Sequence, residues 1–257
     1  MLSLLSLVTA VAPATSTPTI EAAAAEPVLA QDAAATPAER KWTGSVGFSA
    51  TVSSGNTDKN TLGATAQAEN RGEKDRWTAQ LLWNYADEKG IGVTQRRTYG
   101  QVKYDYFFDK QLYAYGVASG ESDFGSALDL RATVGAGVGY QFREDERWKI
   151  SGEAGLSYVD ESFKTAGDDQ DYIAARLAYK ADYTAEGGKW TAGQWGEIFP
   201  SVEDSDDVSA RIDTHARVSL SEKMFAQAQH IYSWDNTPAT GADRVDELWI
   251  VSIGWSF

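Results

Sequence analysis

Two histidines, His215 and His230, and the absence of cysteine restrict the nucleophilic and metal chemistry open to this 257-residue chain. A serine hydrolase needs a serine within reach of a histidine base that a third group orients. Residues two apart share a face of an extended strand. The same-face neighbours of His215 are therefore Asp213 and Arg217, and those of His230 are Ala228 and Tyr232. Neither set holds a serine, so His215 reads first as one member of a charge network, and lipid hydrolysis stays a secondary reading. Two acidic groups, Asp168-Asp169 with Asp171 and Glu203-Asp204 with Asp206-Asp207, carry the oxygen ligands that hard divalent cations take. Their spacing is not that of an EF-hand loop, and solvated acidic loops are the plainer reading. Ser54-Gly55-Asn56-Thr57-Asp58 has turn chemistry, because Gly and Asn tolerate positive φ and Asp or Asn bonds its own backbone. Gly135, Gly137 and Gly139 alternate within a strand-like run, which excludes a dinucleotide-binding phosphate loop, since that needs a following helix. Such a row makes room for larger neighbours or for curvature. The pattern assigns no catalytic residue, no cofactor and no metal.

The elements that would position these groups are strands. Aromatics at positions 42, 77, 113, 148, 190 and 225 recur about every 35 residues, a period that also suits helical repeats. The internal pattern decides, because helices need apolar residues at i, i+3, i+4 and i+7, whereas strands need i, i+2 and i+4. Residues 128–142 put Leu128, Leu130, Ala132, Val134, Ala136, Val138, Tyr140 and Phe142 on one face, and Asp129, Arg131, Thr133 and the three glycines on the other. Residues 208–220 and 42–52 alternate in the same way. Runs of this length exceed the roughly 5–6 residues usual for globular strands, and aromatics gather at their ends, as membrane interfaces favour. No later stretch approaches the roughly 18 apolar residues of a membrane helix. The pattern predicts an all-β, antiparallel, up-and-down transmembrane barrel of about twelve strands: 42–53, 60–70, 76–86, 95–108, 111–120, 128–143, 147–159, 171–184, 188–200, 207–220, 223–235 and 244–257. The faces of 60–70, 111–120, 188–200 and 223–235 are poorly defined by alternation.

Residues 1–30 read as a signal peptide. Met1–Ala12 is a short apolar run, and Val28-Leu29-Ala30 offers a cleavage site. Residues 31–41 read as a lead-in without apolar periodicity, and 42–257 as the barrel. An exported chain enters from the periplasm, so the first strand runs outward and the odd-numbered connections face the exterior. The even set is shorter on average, as in outer-membrane barrels, and none of the outer connections is long enough for a large lid. A net charge of −14 disfavours nucleic acid. The implied surroundings are outer-membrane lipids and lipopolysaccharide.

At the C-terminus, Trp249, Val251, Ile253, Trp255 and Phe257 share one face. This resembles the terminal strand by which the barrel-assembly machinery recognises outer-membrane proteins, with Phe257 as its closing aromatic. Residues 42–257 resemble the salt-induced outer-membrane proteins, a family built on a domain of unknown function. The likeness rests on Ser54-Gly55-Asn56-Thr57-Asp58, Tyr104-Asp105-Tyr106-Phe107-Phe108, Gly135-Ala136-Gly137-Val138-Gly139-Tyr140, Phe199-Pro200-Ser201 and the closing aromatic. The resemblance implies an outer-membrane barrel associated with salt or envelope stress and supplies no catalytic residues.

Alternation places Arg97, Lys103, Asp105, Arg131, Lys149, Glu153, Arg176, Lys180, Asp182, Arg211, Asp213 and Arg217 inside. Twelve strands give a bore between the filled eight-stranded type and the open sixteen-stranded porin. Long side chains of both signs can cross it and pair, so the expectation is a narrow or occluded pore in a non-enzymatic barrel. The alternatives are an outer-membrane lipid hydrolase and a surface protein that binds cations or envelope components.

Overall fold

A computed structural model describes residues 40–53, 59–164 and 169–257. The signal peptide, nearly all of the lead-in, Ser54–Asp58 and Asp168 lie outside these residues. Among the described residues twelve strands form one closed antiparallel barrel: β1 Trp42–Ser53, β2 Lys59–Arg71, β3 Asp75–Glu88, β4 Gly92–Phe107, β5 Leu112–Asp123, β6 Leu128–Glu144, β7 Trp148–Phe163, β8 Gln170–Thr184, β9 Trp190–Pro200, β10 Val208–Ser219, β11 Met224–Asp235 and β12 Val245–Ser256. Each pairs with its neighbour in sequence, and β1 pairs with β12 through Ser45–Ser256 to Phe48–Ile253. Phe257 extends that seam, exchanging backbone hydrogen bonds with Gly44 at 3.0 Å in both directions. Closure leaves no sheet edge with unpaired backbone groups, which a strand structure in hydrocarbon requires.

The polarity of the sheet is inverted relative to a soluble sandwich. Val134, Val138, Trp249, Val251 and Ile253 lie on the outside, with Trp249 70 % and Val251 77 % exposed. Thr133, Gln141 and Ser252, on the opposite face of the same strands, are buried on the inside. A belt of exposed leucine, valine, isoleucine and aromatics around a polar interior is stable only against hydrocarbon. Aromatic pairs mark its lower rim: Trp77–Tyr104, Tyr106–Phe108, Tyr140–Phe142 and the Trp148–Tyr183–Trp190 row. The barrel is therefore membrane-spanning and of the outer-membrane type.

Both described chain ends and the set of connections that is shorter on average lie at one end of the barrel, termed periplasmic here. The opposite connections include 201–207 and 236–244. All strands but the 11-residue β9, at 12 to 17 residues, exceed the roughly 9–11 that span a bilayer, so several project beyond the belt. This explains where alternation misplaced boundaries. β5 runs to Asp123 and β7 to Phe163, because both faces turn polar above the membrane. Leu128 also departs from the sequence reading. A bulge between Leu128 and Leu130 turns Leu128 inward, where it is 4 % exposed, while Leu130 faces out. A bulge adds one residue and flips the facing beyond it.

Two periplasmic turns are held by aspartates. Asp109 accepts the backbone N–H groups of Gln111 and Leu112, each at 2.7 Å. Asp145 accepts those of Arg147 and Trp148 at 2.8 and 2.7 Å. The Trp148 N–H foremost, then the Arg143 guanidinium and the Arg147 N–H, hold the Asp145 carboxyl below the ordinary carboxylate range. A depressed folded pKa gives a contribution that is complete above the unfolded value of about 4 and is lost as pH falls through the folded one. Exchange of the Arg147 and Trp148 amides should accelerate below about pH 4 relative to intrinsic rates. Asp145→Ala should show that acceleration already at pH 6, and unchanged protection in the variant would refute the assignment.

Candidate functional site

The lumen is the chemically organised region. All twelve charged residues expected inside are there. Arg97, Lys103, Asp105, Arg176, Arg211 and Asp213 are buried. Arg131 and Glu153 sit in ion pairs, and Lys149, Lys180, Asp182 and Arg217 line a lower cavity.

Three layers fill the bore. The outer layer is ionic. Arg97 on β4 meets Glu121 at 2.5 Å and Asp123 at 3.3 Å on β5, and donates to Ser233 of β11 at 2.8 Å. Arg131 on β6 pairs with Glu161 of β7 and, at 2.7 Å, with Asp235 of β11. Arg211 on β10 reaches Glu121 of β5 at 3.4 Å. Each of β4–β11, β6–β11 and β10–β5 joins strands five places apart in a ring of twelve. These contacts span the bore instead of running along its wall. Above them, the 236–244 connection folds inward. Ala239, 6 % exposed, packs on Leu128 and Phe163 from the far wall. Asn236 and Thr237 tie the connection to Asp206 and Asp207, each at 2.8 Å. This connection is no large lid, yet it packs over the outer layer because Leu128 and Phe163 reach up to meet it.

The middle layer is apolar. Leu82, Tyr99, Ile231, Leu248 and Ile250 are buried together with Trp195 against them. Arg211 lies over the Tyr99 ring, 4.1 Å from its centre. Sequence reasoning missed this layer, yet a signal existed: in Leu248-Trp249-Ile250-Val251 both faces are apolar.

The lower layer is ionic again and partly hollow. Arg176 joins Glu153 at 2.8 Å and Glu197 at 3.0 Å, Lys103 joins Asp105 at 2.6 Å and also pairs with Glu153, and Arg76 meets Asp105 at 2.7 Å. The glycine row makes room here. The Tyr113 ring lies over Gly139, and the Tyr115 hydroxyl lies over Gly137 and Gly155. Phe107 of the aromatic segment 104–108 turns inward under Arg71, 3.7 Å from its guanidinium carbon. Beside these, a cavity of about 280 Å³ runs from the middle layer to the periplasmic turn at Asp145–Arg147, and a smaller one of about 70 Å³ lies in the outer half. Tyr99 and Arg211 line both, so the middle layer separates them.

The two histidines are not brought together. His215 faces the lower cavity, and its cross-strand partners are Gly193 and Gln229. His230 faces outward and stacks on exposed Trp249 at 4.1 Å, with Thr214 and Trp249 across the ladder. Neither has a serine opposite it, so the geometry does not supply what the hydrolase reading requires. The described acidic loop residues are engaged in local bonds. Asp169 accepts the Phe163 N–H, Asp204 the Asp206 N–H and Asp171 the Tyr158 hydroxyl. Among the described residues, no three acidic or histidine side chains converge as a metal site.

The sequence also matches a family model over residues 46–257, described as a protein of unknown function, DUF481. The chain belongs to the DUF481 family. No curated protein matches it. Solved structures similar to this DUF481 protein include the NanC porin, at 11% identity and a TM-score of 0.49, covering 84% of this chain and 99% of that one. The KdgM porin in complex with disordered oligogalacturonate has 10% identity and a TM-score of 0.44, over 84% and 99%. The translocator domain of the autotransporter NalP from Neisseria meningitidis has 12% identity and a TM-score of 0.43, over 88% and 90%. Likeness at this level speaks to neither cargo nor mechanism. Closure and the outward apolar belt make the DUF481 chain an outer-membrane β-barrel in their own right.

Proposed function

We propose that this chain is a non-enzymatic outer-membrane barrel whose bore is shut, with a vestibule open toward the periplasm. The observation that carries this reading is the set of bore-spanning contacts Arg131–Asp235, Arg211–Glu121 and Arg97–Ser233. Charged side chains that meet partners on the opposite wall remove the water column an open porin needs, and the apolar layer below offers no hydrated path. In this reading the partners are outer-membrane lipids, lipopolysaccharide around the outer connections and the barrel-assembly machinery reading the strand that ends in Phe257. An association with salt or envelope stress would describe when the barrel is made, not how it works.

Planar-bilayer recording tests the proposal. The purified barrel should insert without producing steady ohmic steps at low voltage. A stable open level of the kind a wide porin shows would overturn the shut bore.

A further inference from the structure

The lower cavity has a charge pattern at odds with the chain that builds it. The protein carries a net charge of −14, yet two cations that lack a carboxylate partner line the periplasmic part of this vestibule. The acids facing it are Asp182 and Asp213, with Asp145 and Glu146 at the mouth. Asp182 is taken by Lys180 at 3.2 Å, and Asp213 accepts the Gln229 amide at 2.7 Å. Asp145 pairs with Arg143, and Arg147 at the mouth with Glu186 at 3.0 Å. Arg211 at the ceiling is committed to Glu121. Lys149 of β7 and Arg217 of β10 remain. Among the described residues Lys149 forms no ion pair, and Arg217 is held by neutral groups alone: the Gln227 amide oxygen at 2.8 Å, the Ser45 hydroxyl at 3.1 Å and the Phe225 ring at 3.7 Å.

The wall between these cations is shaped. Lys149 lies opposite Asp182, Asp182 opposite Gly193, and Gly193 opposite His215. A Cβ at Gly193 would stand 2.2 Å from the Asp182 carboxylate and 2.7 Å from the His215 ring, so glycine leaves room for both side chains over this position. The result is a blind cup with a pre-positioned guanidinium, an uncommitted ammonium and an imidazole. A guanidinium and an ammonium in a confined site favour oxyanions that accept several charge-assisted hydrogen bonds.

We propose that this vestibule binds a small multiply charged oxyanion of the phosphate class from the periplasmic side, through Lys149 of β7 and Arg217 of β10, with His215 beside Arg217. The site depends on the shut-bore reading only for its closed ceiling. A conducting barrel would refute that reading without removing these side chains.

Isothermal titration of the intact barrel in zwitterionic detergent with inorganic pyrophosphate at low salt tests it. Saturable one-to-one binding is expected, weakened at least tenfold by Lys149→Gln and by Arg217→Gln and retained by Lys149→Arg. Lys164→Gln, in an outer connection, should bind as the wild type does. Retention of the boiling-dependent gel shift shows that each variant is folded. The absence of saturable binding by the wild type, or equal binding by both glutamine variants, would overturn the proposal.

Discussion

Arg131→Ala should lower the free energy of unfolding by about 3–5 kcal/mol, because it strips the cation from two carboxylates that have little water to turn to. The Glu161 side chain is 1 % exposed and that of Asp235 20 %, and Arg131 reaches the first on the adjacent strand and the second across the bore. Glu121 lies 4.0 Å from the same guanidinium, so the loss would propagate to the Arg97 and Arg211 contacts. Breaking a buried pair on one side costs far more than the pair itself contributes. Arg131→Met combined with Glu161→Met should therefore recover much of the loss. Urea unfolding in lipid vesicles measures both. A loss below about 1 kcal/mol would mean that Arg131 behaves as a solvated surface charge.

Gly137→Ala should be nearly as damaging, at about 3 kcal/mol, the upper end of the ordinary range for overpacking. The added Cβ would sit 2.2 Å from the Ala154 carbonyl oxygen and 2.6 Å from the Gly155 Cα. These are backbone atoms of the neighbouring strand, so no rotamer change relieves the clash, and β6 and β7 would have to separate. The Tyr115 hydroxyl at 2.8 Å adds a third obstacle. Gly116→Ala and Gly120→Ala place their Cβ where nothing lies within 4 Å and should change stability by less than about 0.5 kcal/mol. Loss of the boiling shift or a lowered urea midpoint in Gly137→Ala alone is the expected result. Equal behaviour of the three variants would contradict the packing described here.

The contrast among these glycines shows what the chain makes legible. Alternation in β1, β6 and β10 specifies facing, because a slip of one residue would put a whole apolar row into the lumen. The twelve inward charges followed from that rule. Their partners did not, since which residue of β11 meets Arg131 depends on strand stagger around the closed ring, and no local pattern encodes that. Glu121 and Glu161 were missed for a related reason. They lie above the belt, where selection for apolar outward residues ends and alternation fades. Leu128 was misplaced by a bulge that period-two reading cannot see. The inner apolar layer was readable in Leu248 and Ile250 but ran against the expectation of a uniformly polar lumen.

The central claim is that the apolar face of the sheet meets hydrocarbon while the opposite face encloses the interior. The chain has no cysteine, so nitroxide labels can be placed one at a time along β12 from Leu248 to Ile253 in the reconstituted barrel. Collision with oxygen, which concentrates in lipid, should be high at Trp249, Val251 and Ile253 and low at Leu248, Ile250 and Ser252. Labels at Trp249, Val251 and Ile253 that are immobile and shielded from both oxygen and a water-soluble relaxer would place that face in a protein core and contradict the account.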